Sequence, residues 1–82
     1  MNPHQFDGAE SGWSSLTATE ERVAEAVSQG LTNRQVAKGL FMSHHTVDAH
    51  LRHIYWKLGI NSRNQLTRLS IERAYGDLLA TA

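Results

Sequence analysis

The sequence predicts an all-α domain of four helices. Four segments each begin with a Ser or Thr that can cap a helix, and each continues with apolar residues three or four positions apart. No segment shows the alternation of a β-strand, and no internal repeat is present. The length of 82 residues, with 40% hydrophobic and 20% charged residues, suits one small compact domain.

The first helix follows an irregular start. Residues 1–15 contain glycines and a proline without helical periodicity, which predicts a flexible N-terminal segment or linker, with Trp13 able to pack on the domain. Thr17 and Glu20 have the spacing of a capping box, in which each side chain bonds the other residue's backbone N–H. A helix from Ala18 to about Gln29 is therefore predicted.

The second and third helices are close together in the chain. Thr32 is the expected N-cap of a short helix, Asn33 to Leu40. After a break of only a few residues, Ser43 caps a longer helix over residues 44–58. Gly59 ends that helix, because glycine adopts the left-handed conformation that helix ends favour.

Ser62 predicts the start of a fourth helix, which is expected to run from Arg63 to about Tyr75. The last residues, 77–82, read as a C-terminal tail that frays. The predicted domain therefore spans residues 16–76.

The third helix has two different faces. Its apolar residues recur at spacings of four, three and four, as expected for a face against a core; they are Val47, Leu51, Ile54 and Leu58. The other side, near the N-terminal half, carries short or polar residues: His44, His45, Asp48, Ala49 and Arg52. Two helices joined by a tight turn, with polar residues at the start of the second, are the layout of a helix-turn-helix DNA-binding unit.

The charge distribution agrees with a DNA-binding surface. The formal net charge is zero, but it is unevenly spread along the chain. Residues 1–30 hold five acids and one base, whereas residues 31–68 hold six bases and one acid. A basic segment that contains the two-helix unit is what a surface facing phosphates requires, although ordinary scatter of surface charge is the competing interpretation.

Several classes of protein are disfavoured. The absence of cysteine excludes disulfides and thiolate metal sites, and it favours the cytosol weakly. No apolar run approaches the ~20 residues of a membrane span, and the N-terminus lacks the pattern of a signal peptide. There is no nucleophile elbow and no Gly-rich phosphate loop, so we do not expect an enzyme.

A cluster of histidines raises the question of a metal site. His50 and His53 have the spacing of a helical pair, but no acidic residue or cysteine is close enough in sequence to complete a zinc site. His50 is more simply interpreted as a packed residue. The sequence therefore predicts no metal and no cofactor.

These residues resemble the LuxR-type helix-turn-helix domain, the family also known through GerE, NarL and FixJ. The resemblance covers residues 16–69 without a gap. The matching positions are Leu16-Thr17, Glu20, Gly30-Leu31, Asn33, Val36-Ala37, Leu40, Met42-Ser43, Thr46-Val47, His50, Ile54, Lys57-Leu58-Gly59-Ile60 and Ser62-Arg63. The run from Lys57 to Arg63 after Thr46-Val47 and His50 is the most specific part of this match.

The resemblance implies the output domain of a bacterial transcription regulator that binds specific double-stranded DNA sequences. By position, the base-reading residues are Asp48, Ala49 and Arg52. Phosphate contacts are implied at Asn33, Thr46 and Lys57. The start of the third helix adds three candidates for contacts with phosphates: Ser43, His44 and His45.

The resemblance also implies partners. The fourth helix is expected to form a weak homodimer on DNA, and the candidate residues are Leu66, Leu69 and Arg73. An upstream regulatory domain and RNA polymerase are further possible partners, and no membrane is expected. The implied location is the bacterial cytoplasm, with association to the nucleoid when the domain binds DNA.

Some interpretations stay open from sequence alone. Arg52 can contact guanine or pair with Asp48, Thr46 can bond back to Ser43, and Lys57 can stabilise the end of the third helix. Asp48 departs from the lysine or other polar residue of many relatives, which suggests an altered preferred DNA sequence. The alternative function is a small helical protein-interaction module without intrinsic DNA binding.

Overall fold

A computed structural model of the protein describes the backbone of residues 12–81 and the side chains of residues 12–79. A single 3-10 turn, Gly12–Ser15, precedes four α-helices: α1 (Ala18–Ser28), α2 (Asn33–Leu40), α3 (His44–Leu58) and α4 (Arg63–Thr81). Residues 12–81 contain no β-strand. The predicted all-α class and the four helix starts are confirmed.

The helix starts rest on the predicted caps. The Thr17 hydroxyl accepts from the Glu20 N–H at 3.1 Å, and the Glu20 carboxylate accepts from the Thr17 N–H at 2.9 Å. Thr32 and Gln35 repeat this reciprocal arrangement at the start of α2. The Ser43 and Ser62 hydroxyls cap α3 and α4 by the same local chemistry. Because these bonds link residues three positions apart, the sequence predicts them well.

The core lies where the four helices meet. The buried residues come from every helix and include Leu16 from the segment before α1; they are Leu16, Val23, Ala24, Val27, Val36, Ala37, Val47, Leu51, Ile54 and Leu66. Trp13 packs against this core, as the sequence suggested. The apolar face predicted for α3 is therefore confirmed as the inner face of the domain.

The two ends of the chain differ from the prediction. Residues 1–11 lie outside the described part, but residues 12–15 form an ordered turn, so the packed unit begins before residue 16. At the other end, α4 continues past Tyr75 to Thr81, which makes most of the predicted 77–82 tail helical. Gly76 does not adopt a positive φ and so does not end the helix.

Two pairs of helices determine how the outer surface of α3 is held. The helices α2 and α3 pack against each other across the short turn at Phe41 and Met42, and α1 packs against α4 on another side of the core. None of the helices in the described residues is both long and apolar enough to cross a bilayer.

Candidate nucleic-acid interface

The N-terminal half of α3 carries an outward polar surface, which we call the reading face: His44, His45, Asp48, Ala49 and Arg52. Three of these residues are exposed, while His44 and Ala49 are half-buried. The opposite side of the same helix is fixed by Val47, Leu51 and Ile54, which are at most 3% exposed. The buried side therefore holds the reading face in a fixed orientation towards solvent.

The Ser43 cap forms the start of this surface. Its hydroxyl accepts from the Thr46 N–H at 3.1 Å and lies 3.0 Å from the Thr46 hydroxyl. The predicted back-bond from Thr46 to Ser43 is thus present. Both side chains are exposed, so the same hydroxyls face solvent.

The two residues proposed to read bases are paired with each other. A guanidinium nitrogen of Arg52 lies 3.4 Å from a carboxylate oxygen of Asp48, with side chains 71% and 56% exposed. An exposed pair four residues apart on a helix stabilises by only ~0.3–0.5 kcal/mol. Such a pair can therefore separate at little cost when a stronger partner approaches either group.

Two histidine rings stack at the first turn of α3. The ring centroids of His44 and His45 are 4.2 Å apart, with an angle of 35° between the ring planes. Both residues belong to the first turn of α3, the end at which the helix dipole favours anions. No group of three or more histidines and acids among the residues described could hold a metal ion.

Asn33 and Arg63 join α2 to the start of α4. The Asn33 side-chain oxygen accepts from one Arg63 nitrogen at 2.7 Å, and the Leu31 carbonyl accepts from another nitrogen of the same guanidinium. The Asn33 oxygen therefore accepts a hydrogen bond within the domain. The side-chain NH2 group of Asn33 is the part that can donate to a phosphate. Sequence reasoning placed Arg63 in the family pattern but did not foresee this bond, which spans 30 residues.

Lys57, a predicted phosphate contact, bonds to groups within the domain. Its ammonium group donates to a Glu20 carboxylate oxygen at 2.7 Å and to the Ser15 carbonyl at 3.1 Å, and its side chain is 14% exposed. The carboxylate of Glu20 is 5% exposed, so removing its cation would leave a buried charge. Lys57 is therefore a structural residue that ties α3 to α1.

The charges around Glu20 reinforce this bond. Burial by itself raises the pKa of Glu20, but the Lys57 and Thr17 hydrogen bonds and the charges of Lys57 and His53 lower it below its ordinary value of 4.5. A nitrogen of His53 lies 3.9 Å from the second Glu20 oxygen. The carboxylate form of Glu20 is thus part of the folded structure.

Two of the predicted dimerisation residues pack or pair within the domain. Leu66 is fully buried in the core. The Arg73 guanidinium lies over the Trp13 ring, 4.8 Å from its centroid, and 3.8 Å from a Glu21 oxygen. Leu69 is half-buried on the same side of α4, because three- and four-residue spacings keep these residues on one helix face.

A different set of apolar residues is exposed on α4. We call it the α4 stripe: Ile71, Tyr75, Leu78 and Leu79, which are 59–64% exposed. Ile71 is five positions after Leu66, which at ~100° per residue places it roughly opposite the buried face. The sequence of α4 shows two apolar faces, one with Leu66 and one with Ile71. Packing against α1 decides which of them faces the core.

Comparison with known proteins identifies the family. The description "Bacterial regulatory proteins, luxR family", also called GerE, matches residues 14–70. The chain belongs to the LuxR family. It is thus a LuxR-type helix-turn-helix domain, the DNA-binding domain of a family of bacterial transcription regulators.

Three similar proteins are each considerably longer than this chain. A putative HTH-type transcriptional regulator of Mycobacterium bovis is 56% identical over 55 residues, which are 67% of this chain and 6% of that protein. The nitrate/nitrite response regulator protein NarP of Escherichia coli is 37% identical over 68 residues, 83% of this chain and 32% of that protein. The oxygen regulatory protein NreC of Staphylococcus aureus is 33% identical over 58 residues, 71% of this chain and 27% of that protein.

Five of the eight Lys and Arg side chains illustrate two different environments. Lys57, Arg63 and Arg73 are held by partners within the domain. Arg34 and Lys38 on α2 are exposed, and no acidic residue occurs between Glu25 and Asp48. The chain from α2 through the turn to Val47 of α3 therefore contributes no acidic side chain to this surface, and Asp48 is the first acid after it.

Proposed function

We propose that this LuxR-type domain binds double-stranded DNA sequence-specifically, with α3 in the major groove, as the output domain of a bacterial transcription regulator. The observation that carries the proposal is the division of α3 between a buried apolar face and an exposed polar reading face. A helix-turn-helix uses the N-terminal residues of its second helix to contact base edges, while the first helix crosses the backbone. The family to which the chain belongs supports the same assignment.

The reading face suits a site that contains G·C pairs. The Arg52 guanidinium can donate two hydrogen bonds to guanine O6 and N7, and the Asp48 carboxylate can accept from the cytosine amino group. Ala49 is small and half-buried, so it suits close approach of the helix or contact with a thymine methyl group. The weak pair between Asp48 and Arg52 is expected to separate when both contact bases.

Phosphate contacts are proposed around the start of α3. The exposed hydroxyls of Ser43 and Thr46, the rings of His44 and His45 and the side-chain NH2 of Asn33 lie on α2, on α3 or at its cap. Such groups fix the register of the protein on DNA without reading sequence. The exposed Arg34 supplies a charge of the required sign nearby in the chain.

The α4 stripe is the surface we propose for dimerisation on DNA. Its residues extend over two helical turns, and each is more than half exposed. One helix face gives a small interface, so we expect a weak homodimer that forms on DNA and reads two half-sites on one side of the duplex. Because both subunits bind the same duplex, weak pairing between them is sufficient.

The partners and the location of this domain are proposed from its relatives. The chain spans between 6% and 32% of the length of the three relatives above, and two of these are named as response regulator and oxygen regulatory proteins. We therefore propose an upstream regulatory domain and RNA polymerase as partners, in the cytoplasm of a bacterium and at the nucleoid when DNA is bound. We propose no enzymatic activity.

The test is selection of bound sequences from a pool of random duplexes, followed by titration of the best duplex. We expect the wild-type protein to enrich a motif that contains G·C pairs. Arg52→Ala should cost ~1–3 kcal/mol of binding free energy and relax preference at one base pair. Arg22→Ala, which removes an exposed arginine from α1, is the matched control and should retain the motif.

Two results would contradict the proposal. An Arg52→Ala protein with unchanged affinity and preference would show that α3 does not read bases through this residue. A wild-type protein that binds no duplex even at low salt would instead favour the protein-interaction module, with the α4 stripe as its contact surface.

A further inference from the structure

Three helix ends in this domain share one backbone pattern. At Gly30, Phe41 and Gly59 the chain adopts a positive φ, of 91°, 57° and 70° respectively. In each case the N–H of the following residue donates to a carbonyl five positions earlier: Leu31 to Ala26, Met42 to Ala37 and Ile60 to Tyr55. Those following residues all pack against the core.

Phe41 differs from the other two residues at this position. Glycine occupies a left-handed helix end without steric cost, whereas a residue with a Cβ is strained there. The phenylalanine ring does not offset that strain by packing, because the residue is 96% exposed. Phe41 is thus unfavourable for the isolated domain in both its backbone and its side chain.

We infer that Phe41 is a DNA-contacting residue, whose ring packs against the deoxyribose of the strand beside the major groove. This inference rests on the proposed function. Phe41 lies in the turn between α2, which is expected to cross the backbone, and α3, which is expected to enter the groove. That turn is therefore expected next to the wall of the groove.

The surroundings of Phe41 suit an anionic partner such as DNA rather than a basic or apolar protein. Lys38 lies three residues before it and His45 four residues after it, and both are exposed. No acidic residue occurs between Glu25 and Asp48, so the nearby chain carries only neutral and basic groups. An aromatic ring near a lysine complements a strand in which apolar sugars alternate with phosphates.

The experiment compares Phe41→Gly and Phe41→Ala with the wild-type chain on a single half-site duplex. Phe41→Gly removes both the ring and the strain, so its thermal unfolding midpoint should rise. Phe41→Ala removes the ring and keeps a Cβ. Both variants should bind DNA about tenfold more weakly, on specific and random duplexes alike, with an unchanged salt slope because no charge is lost.

The control is Trp56→Ala, which removes another exposed aromatic ring, from the C-terminal half of α3 and outside both the reading face and the α4 stripe. It should leave binding to the single half-site unchanged. A second duplex, in which deoxyuridine replaces every thymine, removes the methyl groups of the major groove. The loss caused by Phe41→Ala should be the same on this duplex.

The outcomes separate this inference from the function on which it rests. If the wild-type chain binds no duplex, the proposed function fails and the inference fails with it. If the wild-type chain binds and both Phe41 variants bind equally well, only the inference is overturned. A loss that disappears on the deoxyuridine duplex would overturn the sugar contact in favour of a thymine methyl. Unchanged DNA binding with lost transcription activation in the full-length regulator would overturn it in favour of a protein partner.

Discussion

Helix α3 is held differently at its two ends. Near the C-terminus, Lys57 bonds to Glu20 on α1 and to the Ser15 carbonyl, so long-range polar contacts fix that end to the rest of the domain. Near the N-terminus, the polar contacts of Ser43 and of Asp48 are local, within one turn of the helix. The N-terminal end therefore presents exposed charged groups whose partners are themselves exposed.

The difference shows what makes a charged residue available for binding. Lys57 and Arg52 lie five residues apart on the same helix, and each faces a carboxylate. The acid beside Lys57 is buried and the acid beside Arg52 is exposed. Burial of the partner makes the first pair costly to break, whereas water screens the second. The exchangeable pair is therefore the one at the proposed DNA surface.

Breaking the buried pair should give the largest effect. Lys57→Met removes the cation and leaves the buried Glu20 carboxylate without its closest charged partner, at a cost of ~3–5 kcal/mol in the free energy of unfolding. Urea unfolding followed by circular dichroism measures this loss. Arg52→Ala should change the unfolding free energy by less than ~0.5 kcal/mol.

A double variant keeps this prediction testable if Lys57→Met does not fold. Glu20→Gln combined with Lys57→Met removes both charges and should recover most of the lost stability. If Lys57→Met instead retains wild-type stability and lowers the salt slope of DNA binding by about one unit, Lys57 contacts phosphate and the two ends of α3 do not differ in this way.

Acid should weaken the same end of α3. The pKa of Glu20 lies below its ordinary value of 4.5 in the folded protein, so the unfolded chain binds the proton more readily. The stabilisation is fully present above about pH 4.5 and is lost as the pH falls through the lower folded pKa. The effect should be smaller than that of Lys57→Met, because a neutral carboxyl can still accept hydrogen bonds.

The measurement is the unfolding free energy as a function of pH. Glu20→Gln should flatten the acidic limb of this curve. Glu25→Gln, at an exposed position of the same helix, should preserve it. An acidic limb that is identical in the wild-type and Glu20→Gln proteins would assign the acid sensitivity to other carboxylates.

Sequence alone predicted the features that depend on near neighbours. The caps at Thr17, Thr32 and Ser43 join residues three apart, and α3 shows a single apolar face, so both were visible in the chain. The bond between Lys57 and Glu20 spans 37 residues and has no local signal. Lys57 was therefore interpreted from its position in the family pattern.

Helix α4 shows a second limit of sequence reasoning. Apolar residues lie on both of its sides, with Leu66 on one and Ile71 and Tyr75 on the other. Periodicity identifies both faces but does not say which one meets α1. The end of the helix was misplaced for a related reason, since Gly76 stops a helix only if the chain turns there.

The α4 stripe, like the exposed pair of Asp48 and Arg52, is a surface that we propose for binding rather than for stability. Tyr75→Glu should leave the unfolding free energy nearly unchanged, because Tyr75 is 63% exposed. On a duplex with two half-sites it should reduce the cooperative free energy by ~1–3 kcal/mol, since a charge replaces an apolar contact. Binding to one half-site serves as the internal control and should be affected far less. Equal losses on both duplexes would place dimerisation elsewhere.

The smallest effect is expected at the exposed pair itself. Asp48→Asn keeps the shape of the side chain but removes a negative charge from the reading face. The unfolding free energy should change by less than ~0.5 kcal/mol, because the pair with Arg52 is exposed. Affinity for random duplexes should rise modestly and its salt dependence should steepen by up to about one unit, because a repulsion from phosphate is removed. Preference for cytosine should weaken at one position, since an amide can donate as well as accept.

Titrations at several salt concentrations measure the affinity of Asp48→Asn and its salt dependence, and a selection from random duplexes measures the preference for cytosine. An unchanged slope together with an unchanged motif would mean that Asp48 points away from DNA, and the reading face would then have to be centred on other residues of α3.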